Sequence, residues 1–140
     1  MMIIYHQSFF IGGKTVWKTL TCVGAGPSPR YRHTCTLIRN GNPRTSEDLL
    51  IIFGGIGENM GCLNDLHIFD LGSMKWIDLG IASGDIPPPL FGHISFPFAS
   101  GLPSMCPNRC DALISFGGRY VSWSILSSFY QLNVIYWRKT

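Results

Sequence analysis

The chain has 140 residues, 46% of them apolar and 14% charged, with a net charge of +3 from 11 basic and 8 acidic residues. That much apolar surface excludes a disordered tail, and one domain's length of chain must bury it somewhere. The basic residues are scattered singly apart from Arg30/Arg32 and Arg138/Lys139, a solvated surface and not a nucleic-acid footprint, and the longest apolar run, 49–53, is too short to cross a membrane as a helix.

In chain order, the opening stretch 1–13 is apolar but carries no basic n-region and no cleavage site, so no signal peptide is expected. Short strands at 3–5 and 15–20 read as the end of a structural unit, assigned to 1–20. A Gly/Pro-rich stretch leads into four strands at 33–39, 49–53, 65–71 and 75–79, each rich in β-branched and aromatic residues and bounded by Gly, Pro, Asn or Ser. A second such series follows at 93–98, 112–116, 128–134 and 136–139. The predicted units are therefore 21–79 and 80–140, the latter incomplete at its C-terminal end. No stretch has helical periodicity uninterrupted by proline.

The two series are one pattern repeated. At an offset of about 60 residues, Trp17, Trp76 and Trp137 fall into register, as do His33 with His93 and Gly54-Gly55 with Gly117-Gly118. Asp65-Leu66-His67-Ile68-Phe69-Asp70 likewise aligns with Ser128-Phe129-Tyr130-Gln131-Leu132-Asn133. A strand, a Gly-Gly doublet, a loop, an aromatic strand and then a Trp resemble the kelch repeat, as does the lead-in Gly26-x-x-Pro29-Arg30-x-x-His33. Two departures stand out. The period exceeds the roughly 50 residues usual for kelch, with the excess in 40–48 and 99–111, and the second unit has Leu90 and Phe91 where Arg is common.

The resemblance implies an all-β fold: a kelch-type β-propeller fragment made of four-stranded antiparallel blades. It assigns Trp17, Arg30, His33, Gly54, Gly55, Phe69, Trp76, His93, Gly117, Gly118, Tyr130 and Trp137 to architecture, with the Trp and aromatic positions filling the space between adjacent blades and the two His acting as structural hydrogen-bonding residues. It implies a protein–protein interaction module of a scaffold, adaptor or regulatory protein, whose partner is another protein. Two blades and part of a third leave self-association or further blades to complete a propeller. Connections between blades and second-to-third-strand loops share one face in such a meander. That face offers Glu58, Asn59, Asp85, Arg119, Tyr120 and Trp123 as partner-binding residues, Arg, Tyr and Trp being the commonest interface anchors.

The alternative is part of a metal-dependent enzyme built on the same scaffold. No catalytic motif supports it: there is no G-x-S-x-G, no glycine-rich loop leading into a helix, and no matching metal-ligand set among His6, His33, His67 and His93. Cys22, Cys35, Cys62, Cys106 and Cys110 are odd in number and irregularly spaced, which predicts reduced thiols in a cytoplasmic or nuclear protein. No catalytic residue, cofactor, metal, nucleic acid or membrane is expected.

Overall fold

The computed structural model describes residues 5–11, 14–39, 48–78, 86–98, 112–120 and 129–133. Every regular element among them is a strand: β1 (Tyr5–Ile11), β2 (Lys14–Leu20), β3 (Arg30–Tyr31), β4 (Thr34–Ile38), β5 (Leu49–Gly57), β6 (Cys62–Asp70), β7 (Lys75–Ile77), β8 (Ile94–Phe98), β9 (Ala112–Phe116) and β10 (Phe129–Asn133). All neighbouring strands pair antiparallel, giving a β1–β2 hairpin, a sheet of β3/β4–β5–β6–β7, and a sheet of β8–β9–β10. β3 and β4 lie end to end along one edge of β5, separated by Arg32 and His33.

The first sheet departs from the expected strands where its glycines lie. The strand foreseen at 49–53 runs on to Gly57, and its partner begins at Cys62. Gly54 and Gly55, at φ 63° and 99°, shift the β5–β6 register between Phe53 and Gly55 without ending the strand. This bulge uses left-handed backbone, which glycine adopts without a Cβ penalty. The connection between the two strands is therefore only a turn at 58–61. The β6–β7 turn is built by Asp70, whose carboxylate accepts from the Gly72 and Ser73 amides and from the Ser73 hydroxyl. The strand foreseen at 136–139 lies outside the described residues.

Alternation along the strands gives the first sheet two apolar faces. Ile38, Leu49, Ile51 and Ile68 lie on one and close over Leu113 of the second sheet, with Leu66 and Ile77 packed around them. Ile52, Phe69 and Trp76 occupy the other, with Cys22, Leu50 and Met74. This corrects the expected packing. The aliphatic face joins the two described sheets, while Phe69 and Trp76, with ring centroids 4.9 Å apart, point away from that junction. The register explains why. Phe69 and Trp76 oppose each other and sit beside Leu50, whereas Ile68 and Ile77 sit beside Ile51. The chain ahead of the first sheet closes over the Trp side: Val23 bridges β7 in parallel, donating to Met74 O and accepting from the Trp76 amide.

Ile51 and Ile68 are each 1% exposed. Ile68→Ala should destabilise the chain by about 2–4 kcal/mol through lost transfer energy and a residual cavity, read as a lower urea midpoint at unchanged slope. Val23→Ala, at an exposed position that contributes mainly backbone hydrogen bonds, should move the midpoint far less.

Candidate functional site

The two sheets meet through the segments that precede β4 and β8. Residues 90–93 run across the first sheet, where Gly55 N–H donates to Leu90 O at 2.7 Å, Leu90 N–H to Leu63 O at 3.0 Å and Gly92 N–H to Arg32 O at 2.9 Å. Side chains continue the junction. Thr34 Oγ1 lies 3.0 Å from His93 Nε2 and 3.0 Å from Ser95 Oγ, which in turn lies 2.7 Å from Ser115 Oγ. Hydroxyls and one imidazole nitrogen thereby pair with one another where the aliphatic core ends.

The repeat is visible at atomic scale in its glycines. A Cβ on Gly55 would lie 2.9 Å from both His33 Cβ and Tyr31 O; one on Gly118 would lie 2.8 Å from His93 Cβ and 3.0 Å from Phe91 O. Gly-Gly and His are thus paired by sterics in both repeats: the backbone after the bulge passes too close to the His backbone for any side chain.

Arg30 and Asp65 hold this end of the first sheet. The Arg30 side chain is 3% exposed, and its two terminal nitrogens donate to Asp65 Oδ1 at 2.6 Å and Oδ2 at 2.8 Å. It also donates to Gly54 O, Ser28 O and Ser28 Oγ, so one guanidinium ties the lead-in to the bulge. His67 Nε2 lies 2.8 Å from Asp65 Oδ2. Burial pushes the Asp65 carboxyl up, but the Arg30 and His67 hydrogen bonds outweigh it and hold the group well below the usual carboxylate range. Its stabilising effect is present at neutral pH and is lost only as pH falls below the ordinary carboxylate value. In the second repeat Leu90 stands at the register position of Arg30 and Ser128 at that of Asp65, so both members of the ion pair are replaced together.

Between the repeats lies an open recess of about 580 Å³ lined by Arg32, His33, Phe91, Gly92, His93 and Arg119. Arg32 holds its guanidinium carbon 5.9 Å from the Phe91 ring centroid. Its backbone is at φ 55°, and the matching position of the second repeat is Gly92 at φ 64°. A non-glycine residue in left-handed backbone costs about 1 kcal/mol or more, and here it places a charged side chain against the recess. Burial lowers the pKa of His33, with Arg30 adding to the effect; burial and then His33 lower that of His93 to about 4. Both rings are therefore neutral at pH 7. Two guanidinium groups beside an aromatic ring and neutral imidazoles can receive a carboxylate or another anion.

Of the residues foreseen as partner-binding, Arg119 lines the recess; Phe91 and Arg119 exchange two backbone hydrogen bonds there. Tyr120, next in the chain, is half-buried, and Glu58 and Asn59 are exposed in the β5–β6 turn, outside the recess lining. Asp85 and Trp123 lie outside the described residues, as does Trp137 among the architectural positions. Trp17 and Tyr130 lie in β2 and β10, opposite Ser8 and Ser115. Arg32 and Phe91 were missed; the available signal was an Arg standing just before a repeated His where the other repeat has Gly. Among the described residues no group of three His, Cys, Asp or Glu side chains is placed to hold a metal, and Cys22, Cys35 and Cys62 are free thiols.

A family profile described as the KLHDC2/KLHL20/DRC7 kelch-repeats domain matches residues 9–134. Acyl-CoA-binding domain-containing protein 4 of Arabidopsis thaliana is 38% identical over 77 residues, 55% of this chain and 10% of that protein. The mouse Rab9 effector protein with kelch motifs is 34% identical over 105 residues, covering 75% of this chain and 24% of that protein. Rho GTPase-activating protein gacHH of Dictyostelium discoideum is 34% identical over 113 residues, 73% of this chain and 7% of that protein. The chain thus spans a quarter or less of each of these relatives.

Asp65→Asn should cost about 2–3 kcal/mol, because it strands a guanidinium that is 3% exposed, discounted for the 42% exposure of the Asp65 side chain. Arg30→Leu combined with Asp65→Ser, the pair found in the second repeat, should recover most of that loss. Urea denaturation of the three proteins checks this; a double variant weaker than Asp65→Asn alone would contradict it.

Proposed function

The chain belongs to the kelch-repeat family, and from that premise we propose that it is a protein-interaction module, with units 21–79 and 80–140 as successive blades of a β-propeller and 1–20 as the end of a preceding one. Its binding surface is the end that carries the blade-to-blade connections, centred on the recess between the repeats. The observation that carries this reading is the recess itself. It draws Arg32 and His33 from one repeat and Phe91, His93 and Arg119 from the next, so it exists only when the repeats are docked. Its arginines suit an acidic side chain or terminal carboxylate of the partner, with Phe91 as an apolar floor.

The nature of the relatives supports a protein as the partner. A protein named for acyl-CoA binding, a Rab9 effector and a Rho GTPase-activating protein share this segment, so the segment carries what is common to them and not the activity of any one. The Rab9 effector name makes a Rab-type small GTPase the first partner to test. Glu58, Asn59 and Tyr120 are further candidate contacts in this reading, and Asp85 and Trp123 lie outside the described residues.

Titration calorimetry of the chain against purified Rab9, in GTP- and GDP-bound forms, tests the partner. Whichever protein partner binds, Arg32→Ala and Arg119→Ala should each weaken binding by roughly 1–4 kcal/mol, while Glu58→Ala changes it by less than about 0.5 kcal/mol. Binding that is indifferent to both arginines in a folded protein would move the site off the recess.

A further inference from the structure

Among the described residues, His93 is the one polar side chain wedged between the repeats whose hydrogen bonding is incomplete. The residue is 5% exposed. Its ring meets Phe53 edge-on with centroids 5.2 Å apart, and its Cε1 would lie 3.1 Å from a Cβ at Gly54. Nε2 reaches across the junction to Thr34 Oγ1, whereas Nδ1 is buried without a hydrogen-bonding partner.

We propose that His93 is an acid-sensitive latch: protonating its ring loosens the contact between the two repeats and, with it, takes apart the recess they build together. The neutral ring needs only one donor satisfied, with one nitrogen on Thr34 and the other buried without a partner. An imidazolium has two N–H donors. Thr34 can accept one; the other finds no acceptor, and an unsatisfied buried donor on a charged ring is costly.

The charged surroundings work in the same direction. From the segment ahead of β4 come Arg32 and His33, and from the segment after β9 comes Arg119. β4 and β9 add the hydroxyls of Thr34 and Ser115, and β5 adds Phe53 and Gly54. Among the described residues every titratable or charged side chain lining the recess is basic, so a proton on His93 meets repulsion. The sign follows from linkage. The ring's pKa in the docked state is lowered from 6.5 to about 4. The stability it lends is complete above pH 6.5, drains away as pH falls towards 4, and stays lost below.

The functional consequence rests on the recess being the binding site; the latch itself needs no partner to be tested. Amide hydrogen exchange, corrected for intrinsic rates, should be followed from pH 6.5 to 4.5 at Gly55, Leu90 and Gly92, whose N–H groups span or flank the junction. One linked proton raises the opening constant up to about tenfold per pH unit, so protection there should fall by up to about a hundredfold. Amides of the β5–β6 ladder, such as Ile51 and Ile68, should change much less. In His93→Gln the pH dependence should flatten. Equal pH dependence in junction and ladder, or an undiminished fall in His93→Gln, would overturn the latch while leaving the recess reading intact. Should that variant fail to fold, an NMR titration of the wild-type ring decides: a midpoint well below 6.5 supports the latch and one at 6.5 sinks it.

Discussion

Leu90 can reach the first sheet only because residues 54 and 55 have no side chains. A Cβ at Gly54 would stand 2.6 Å from Leu90 O, and one at Gly55 would collide with His33 and Tyr31. The bulge they form in β5 turns a backbone N–H outward to Leu90 O, and from that hydrogen bond the second repeat is laid down. The aliphatic face then closes over Leu113, and His93 settles against Phe53. The junction, the recess at its end and the buried ring beside it all depend on that close backbone approach.

The two repeats share this device and differ in how they stiffen it. The first uses a bidentate Arg30–Asp65 pair with His67 as a third member. The second has Leu90 in the arginine's place, 1% exposed. Burying a leucine costs no charge desolvation, whereas a buried guanidinium is stable only with its carboxylate. Exchange of both partners keeps each repeat self-consistent. The connecting segment ahead of β8 meets both repeats, Leu90 bonding to Gly55 and Leu63 of the first sheet and Phe91 to Arg119 of its own repeat.

Much of this was legible in the sequence. The about 60-residue repeat of Trp, His and Gly-Gly, and the kelch resemblance it carries, pointed to the all-β class. Strand ends around Gly54 were not legible, because a glycine pair reads as a strand exit and only the register reveals a bulge. Nor was the face that joins the sheets. Aromatic residues draw the eye, yet Phe69 and Trp76 follow one side of the alternation and Ile51 and Ile68 the other, and nothing local says which side meets the next repeat. Arg119 was legible as a candidate by type and by loop position, and it lines the recess. Arg32 was not, since its placement depends on a left-handed backbone shared with Gly92 that becomes apparent only once the two lead-ins are superposed.

The docking of the two repeats is the claim on which the site, the function and the latch all rest. A double-mutant cycle between Ile38 and Leu113, buried in one cluster but contributed by different repeats, tests it most directly. Docked repeats predict that Ile38→Ala and Leu113→Ala are coupled by about 0.5–2 kcal/mol in urea denaturation. Strict additivity, within about 0.3 kcal/mol, would mean that the two sheets do not pack on each other as described.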